Sequence, residues 1–268
     1  MKDQELRFTG SVPEKYDRLM VPLIFRPYAE ELARRARAFS PTRLLETAAG
    51  TGAVTQALHE ALPDSEIVAT DLNQPMLDVA AARVRSDRVR FVEADAQELP
   101  FEDGTFDLVV CQFGSMFFPD KVRGHAEARR VLRGGGHYLL AIWDRIDRNP
   151  LSEAAQQVLI DLFPDDPPLF MRDGPFGYHD PVRIESDLHD AGFNTVDIET
   201  VELRSRSPSA TDAAAALCYG TPMGVEIEDR APGTLDRAVE RVEEAFRRFE
   251  GPGGIDAPMA AHVVTATG

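Results

Sequence analysis

Leu44-Leu45-Glu46-Thr47-Ala48-Ala49-Gly50-Thr51-Gly52, followed by Ile67-Val68-Ala69-Thr70-Asp71, is the stretch that decides the fold of this chain. An apolar run feeds a turn of small residues, and a second apolar run about 20 residues on ends in a carboxylate, the spacing of a nucleotide site at the tips of neighbouring parallel strands. Small residues let the backbone approach a ligand closely. A carboxylate at the next strand tip can hold two ribose hydroxyls. Outward from this unit, strand patterns over 43–48, 65–70, 88–93, 106–112 and 136–143 alternate with helix patterns over 54–62, 75–85 and 121–132. Such alternation predicts an α/β fold with a doubly wound, mostly parallel sheet.

Two registers of the turn imply different ligands. A dinucleotide fingerprint, Gly-x-Gly-x-x-Gly, would begin at Gly50 and Gly52 but meets Thr55 where its third glycine belongs. A register starting two residues earlier reads Ala48-x-Gly50-x-Gly52, preceded by Glu46. This register resembles motif I of the class I S-adenosylmethionine-dependent methyltransferases, with Ala48 for the first glycine and Glu46 for the more usual aspartate. The resemblance runs from Tyr16 to Trp143, strongest between Leu44 and Phe118, and is to the small-molecule branch that includes ubiquinone- and menaquinone-biosynthesis enzymes.

The resemblance implies a Rossmann-like, seven-stranded sheet with an antiparallel C-terminal edge strand. It implies S-adenosyl-L-methionine as cofactor and S-adenosyl-L-homocysteine as product. Glu46, Ala48, Gly50 and Gly52 would then lie beside the cofactor's amino acid end, and Asp71, Leu72 and Met76 at its ribose and one adenine face. Asp95 and Ala96 would meet the adenine edge, Gln112 would stand at the tip of the 106–112 strand, and Tyr16 would close over the site.

Composition narrows the partners. The chain has 268 residues, long enough for one large domain with a cap, and a formal net charge of -16. That charge weighs against a polyanionic substrate, so a small-molecule acceptor is expected and nucleic acid is not. No run approaches the ~20 apolar residues of a membrane span, and Met1-Lys2-Asp3-Gln4-Glu5 lacks the pattern of a signal peptide, so a cytoplasmic monomer or homodimer is expected. Cys111 and Cys218 are read as core thiols, and no metal site is expected.

Helical patterns over 1–40, among them Tyr16 to Ala38, read as lid helices; 41–204 with 258–268 read as the core, and 205–257 as a helical cap insertion. Within these, helices are expected over 181–191, 211–217 and 235–249, with strands over 193–203 and 261–267. Gly134-Gly135-Gly136 reads as the turn into the fifth strand, and Gly251-Pro252-Gly253-Gly254 as a hinge. Phe25, Met116, Phe117, Trp143, Phe170 and Tyr178 are the candidates for an acceptor pocket suited to an aromatic, polyketide-like or lipid-like molecule. His179 is the candidate general base, ahead of His125 and His262. An NAD(P)-dependent oxidoreductase and a non-catalytic S-adenosylmethionine-binding protein are the other readings; binding of NADH would favour the first.

Overall fold

A computed structural model describes residues 12–268, so the part of the expected lid before Val12 lies outside the described residues. The strands are β1 (Arg43–Thr47), β2 (Glu66–Asp71), β3 (Val89–Glu93), β4 (Phe106–Gln112), β5 (Leu132–Trp143), β6 (Thr195–Ser207), β7 (Glu250–Gly251) and β8 (Gly254–Thr267). They form one sheet in the order β3-β2-β1-β4-β5-β8-β6, with the short β7 paired to β8. β1 to β5 run parallel, and β8 runs antiparallel to both β5 and β6 between them. The expected Rossmann-like, mostly parallel seven-stranded path with an antiparallel C-terminal strand is present.

Helices on both faces explain the near-continuous apolar runs. Leu44 and Leu45 of β1 and Phe106 to Cys111 of β4 are buried, as strands covered on both sides must be. The chain leaves β1 for β2 on one side, while β4 lies on the other. The carboxyl ends of β1 and β4 therefore flank the topological switch point, where open α/β sheets bind ligands.

Before the sheet, the chain is helical from Val12 to Phe39: a π-helical stretch over Tyr16–Phe25 leads into an α-helix over Arg26–Ala36. Pro22 lies inside the π-helical stretch and contributes no backbone donor there. This arm packs against the helix Ala210–Tyr219 on one side and β6 on another. Between β6 and β8 the chain forms three helices, Ala210–Tyr219, Met223–Arg230 and Leu235–Phe246; the middle one had no counterpart in the sequence reading.

Three strands differ from expectation, β6 by running on to Ser207 past the expected 203. β8 begins at Gly254, not at residue 261, because the first half of β8 pairs with β6 while only Ala261 onward pairs also with β5. Pro258 is tolerated there since its missing N–H falls where β5 provides no ladder. The triple glycine is a bulge inside β5 and not a turn before it: Phe106 pairs with Leu132 and Leu108 with His137, so β5 accommodates extra residues and Gly135 takes φ +77°. Gly251 to Gly254 form the tight connection of the β7–β8 hairpin.

Candidate active site

The turn after β1 is built from residues in the left-handed region at every second position. Ala48 has φ +54°, Gly50 +54° and Gly52 +79°. Gly52 has a second reason to be glycine: a Cβ there would lie 2.9 Å from the Cβ of Ala80 on the helix Gln74–Arg83. The turn is fastened to β2 from two sides, by Ala49 N–H donating to the Thr70 carbonyl at 2.9 Å and Gly50 N–H donating to Asp71 Oδ2 at 2.8 Å. Asp71 Oδ1 accepts from the Asn73 N–H at 2.9 Å and its side-chain amide at 3.2 Å. Asp71 thus holds the loop in shape, with three donors on its carboxylate.

Glu46 is buried at the end of β1, and its Oε2 accepts from the Thr55 hydroxyl at 2.6 Å. Thr55 occupies the position of the missing third glycine and is itself fully buried. Sequence reasoning registered it only as a defect in a dinucleotide fingerprint. Burial pushes the Glu46 carboxyl up to about 8, against the Thr55 hydrogen bond and with the nearby Asp71 adding to the rise. Burial also raises the Asp71 carboxyl, opposed by its hydrogen bonds from Asn73 and Gly50. Neither carboxyl has an ion-pair partner among the described residues.

The other predicted cofactor residues line the same end of the sheet. Met76 is buried with its Cε 3.6 Å from where a Cβ on Gly50 would sit, while Leu72 is 60% exposed. Asp95 Oδ1 accepts from the Gln97 N–H at 2.8 Å, and Ala96 follows it half-buried. Gln112, at the tip of β4, donates from Nε2 to the Phe25 carbonyl at 3.2 Å. Among the described residues, its Oε1 is buried without a hydrogen-bond partner, as are Thr51 Oγ1 in the turn and Ser115 Oγ just beyond β4. Unsatisfied buried acceptors and hydroxyls beside two carboxyls fit a ligand that brings cationic and hydroxyl donors. The Tyr16 ring stacks on Phe25 at 5.0 Å, and burial with the charges of Asp71 and Asp17 raises its hydroxyl pKa.

An aromatic cluster adjoins these residues. Phe113, non-glycine at φ +54°, lies parallel to Trp143 with centroids 3.8 Å apart. Phe25 contacts both at 5.9 and 6.4 Å, Tyr28 meets each edge-on, and Phe176 lies 5.9 Å from Trp143. Of the predicted pocket residues, Phe25 and Trp143 share this cluster. Phe117 and Phe170 stack on each other as a separate pair, and Met116 is buried beside them in the chain. Tyr178 is placed elsewhere: it is buried and donates to Asp187 at 2.9 Å, with its ring near His125. Tyr28 had no place in the sequence reading, and the positive φ of Phe113 leaves no signature in its residue type.

The histidines divide similarly. His179 lines an open groove of about 580 Å³ with Arg145, Gln156, Arg172 and Phe176, and its Nδ1 lies 2.8 Å from the Phe176 carbonyl. His262 is buried in β8, with Nε2 2.9 Å from the His179 carbonyl and 3.4 Å from Asp144 Oδ1. His125 is enclosed between Tyr138 and Tyr178, and burial pulls its imidazole down to about 4. Among the described residues, no group of three or more His, Cys, Asp or Glu side chains is arranged to hold a metal ion. Both cysteines are buried and unpaired, as the sequence suggested.

Comparison with known proteins bears on the same segment. Residues 45–140, from β1 through most of β5, match a family model described as a methyltransferase domain. The demethylmenaquinone methyltransferase of Deinococcus radiodurans is 39% identical to the chain over 136 residues, covering 49% of this chain and 56% of that protein. The chain spans about half the length of the curated relatives it matches. Solved structures share the fold around the methyltransferase domain. Phosphoethanolamine N-methyltransferase 2 of Haemonchus contortus, in complex with S-adenosyl-L-methionine, matches with TM-score 0.62 at 15% identity over 97% of this chain and 57% of that one. The YcgJ protein of Bacillus subtilis matches with TM-score 0.59 at 19% identity over 90% and 97%.

Proposed function

We propose that this protein transfers a methyl group from S-adenosylmethionine to a small-molecule acceptor. The observation that carries the reading is the arrangement at the tips of β1, β2 and β4: two buried carboxyls without an ion pair among the described residues, and Thr51 Oγ1 and Gln112 Oε1 without a hydrogen-bond partner there, beside a left-handed turn. Glu46 and Gln112 would take the cationic amino acid end, Asp71 the ribose, and Leu72 and Met76 one adenine face, with Asp95 and Ala96 at its edge. Tyr16 would cover the site from the N-terminal arm. Thr55 speaks against the dinucleotide reading, because its hydroxyl is spent on Glu46 where a glycine would let helix and strand close up.

When bound, the cofactor supplies an electrophilic methyl on a sulfonium. The chain's part is to exclude water, orient the acceptor in line and, for a weakly acidic acceptor, remove a proton. The aromatic surface of Phe25, Phe113 and Trp143 favours a planar, apolar acceptor. A quinone-like ring agrees with the name of the Deinococcus relative. His179 is the proposed base: with Nδ1 at the Phe176 carbonyl, Nε2 is the nitrogen that accepts a proton. Division into a lid over 1–40, a core over 41–204 and 258–268, and a cap over 205–257 belongs to this reading, with acceptors entering between cap and arm. No helix among the described residues is long and apolar enough to cross a membrane.

The deciding experiment is incubation with labelled S-adenosylmethionine and a panel of hydroquinones, phenols and amines, with binding of NADH measured in parallel. Label appearing in a hydroquinone or phenol product supports the reading. Binding of NADH with none of S-adenosylmethionine overturns it.

A further inference from the structure

Glu46 and Asp71 lie within electrostatic reach of each other at the tips of adjacent strands, and both are buried. Among the described residues, the groups facing Glu46 bring no positive charge. The helix Ala53–Ala61 offers the Thr55 hydroxyl, β2 offers Asp71, and β4 offers Cys111, whose thiol burial keeps neutral. The N-terminal arm brings the Tyr16 hydroxyl, which burial and the charges of Asp71 and Asp17 keep neutral. Arg83, the guanidinium nearest in sequence on the following helix, is engaged by Asp17 and Gln56. Two anions buried together without a counter-charge are costly, and one of them is relieved of its charge by a proton.

The hydrogen bonds decide which one. Asp71 accepts from three N–H donors, which stabilise an anion. Glu46 is bonded by Thr55 alone, through a hydroxyl that serves a neutral acid as well as a carboxylate and through the Thr55 N–H, fewer N–H donors than Asp71 has. We propose that Glu46 is the proton-exchange site of cofactor binding: it is neutral in the ligand-free protein and loses its proton when a cationic ligand end takes position beside it. The Glu46 O–H bond breaks, the proton passes to solvent, and the carboxylate is left against the ligand's ammonium group. The upward shift of Glu46 caused by burial agrees with this assignment. The inference rests on the methyltransferase reading, and it makes the site selective. A nucleoside lacking the cation cannot displace the proton.

Calorimetric titration at neutral pH, in two buffers of different ionisation enthalpy, counts the protons released. S-adenosylmethionine is the cationic probe and 5′-methylthioadenosine the uncharged one. We expect release close to one proton per S-adenosylmethionine bound, none with 5′-methylthioadenosine, and a large loss of release for S-adenosylmethionine in Glu46→Gln. Equal release with the two ligands in the wild type overturns the proposal whatever the variant does, as does undiminished release in Glu46→Gln. Failure of the wild type to bind S-adenosylmethionine at all would remove the methyltransferase reading and this proposal together, whereas tight binding without proton release would remove this proposal alone.

Discussion

At the scale of single residues, the site is held by substitutions that compensate one another. Ala48 keeps a left-handed φ that disfavours a side chain by about 1–2 kcal/mol. Its methyl has room because residue 114 is glycine: a Cβ there would lie 2.3 Å from the Ala48 Cβ and 3.1 Å from the Cys111 sulfur. Gly114→Ala should therefore cost about 2–3 kcal/mol in denaturant unfolding. Ala48→Gly should change stability by less than about 1 kcal/mol, since relief of strain is offset by a more flexible unfolded chain. The double variant should recover at least about 1 kcal/mol of the Gly114→Ala loss, and strict additivity of the two would refute the pairing. Glu46 carries a pH signature of its own. Its folded carboxyl, near 8, lies above the ordinary 4.5, so between those values the folded state keeps a proton that the unfolded state has released. Stability from this group is full below about 4.5 and declines toward about 8, by on the order of 2–4 kcal/mol. Melts of wild type and Glu46→Gln across that range should diverge, with the variant the flatter.

At the scale of elements, the partly buried ion pair of Asp17 with Arg83 joins the π-helical stretch to the helix after β2, while Arg35 further along the arm pairs with Glu199 of β6. The Asp17–Arg83 pair is worth about 1 kcal/mol, too little to hold the fold and enough to bias the arm's position. Arg83→Gln should leave the melting temperature within a few degrees of wild type. It should speed hydrogen exchange over Tyr16–Phe25 and weaken S-adenosylmethionine binding about 2–5-fold. Unchanged exchange in that stretch would show that the arm is held elsewhere. The same elements show what the sequence could convey. The alternating core was legible because apolar runs and small-residue turns act locally, and β1, β2 and β4 fall within a residue of their expected bounds. The start of β8 was not, since Pro258 and the glycines before it signal a break unless one knows that β5 is absent beside them. The helix Met223–Arg230, with polar Glu226, Glu228 and Asp229, gave too weak an apolar pattern. In the site, residue types were legible and partners were not: Asp71 could be named as acidic, but its engagement by Gly50 and Asn73 depends on the turn's final shape.

At the scale of the whole molecule, the arm lies against the helices that follow β6, the segment proposed as a cap. Its Tyr16 lies within electrostatic reach of Asp71, its Phe25 carbonyl accepts from Gln112 of β4, and it packs on the helix Ala210–Tyr219. The cap is joined to the rest from the other side, where the helix Leu235–Phe246 packs on the helix Pro150–Leu162 that follows the site strand β5. A ligand filling the space between the carboxyls and the Gln112 amide would stiffen the arm from beneath, and the arm would stiffen the cap helix lying on it. Saturating S-adenosylmethionine at about 100 times its dissociation constant should add about 2.7 kcal/mol to stability. Hydrogen exchange should slow in three places: the turn 48–52, the stretch 16–25 and the helix 210–219. The last carries the argument, because no residue of that helix belongs to the proposed cofactor site. Protection confined to the turn would mean that arm and cap move independently of the cofactor, whereas protection reaching 210–219 and diminished in Arg83→Gln would identify the arm as the connection.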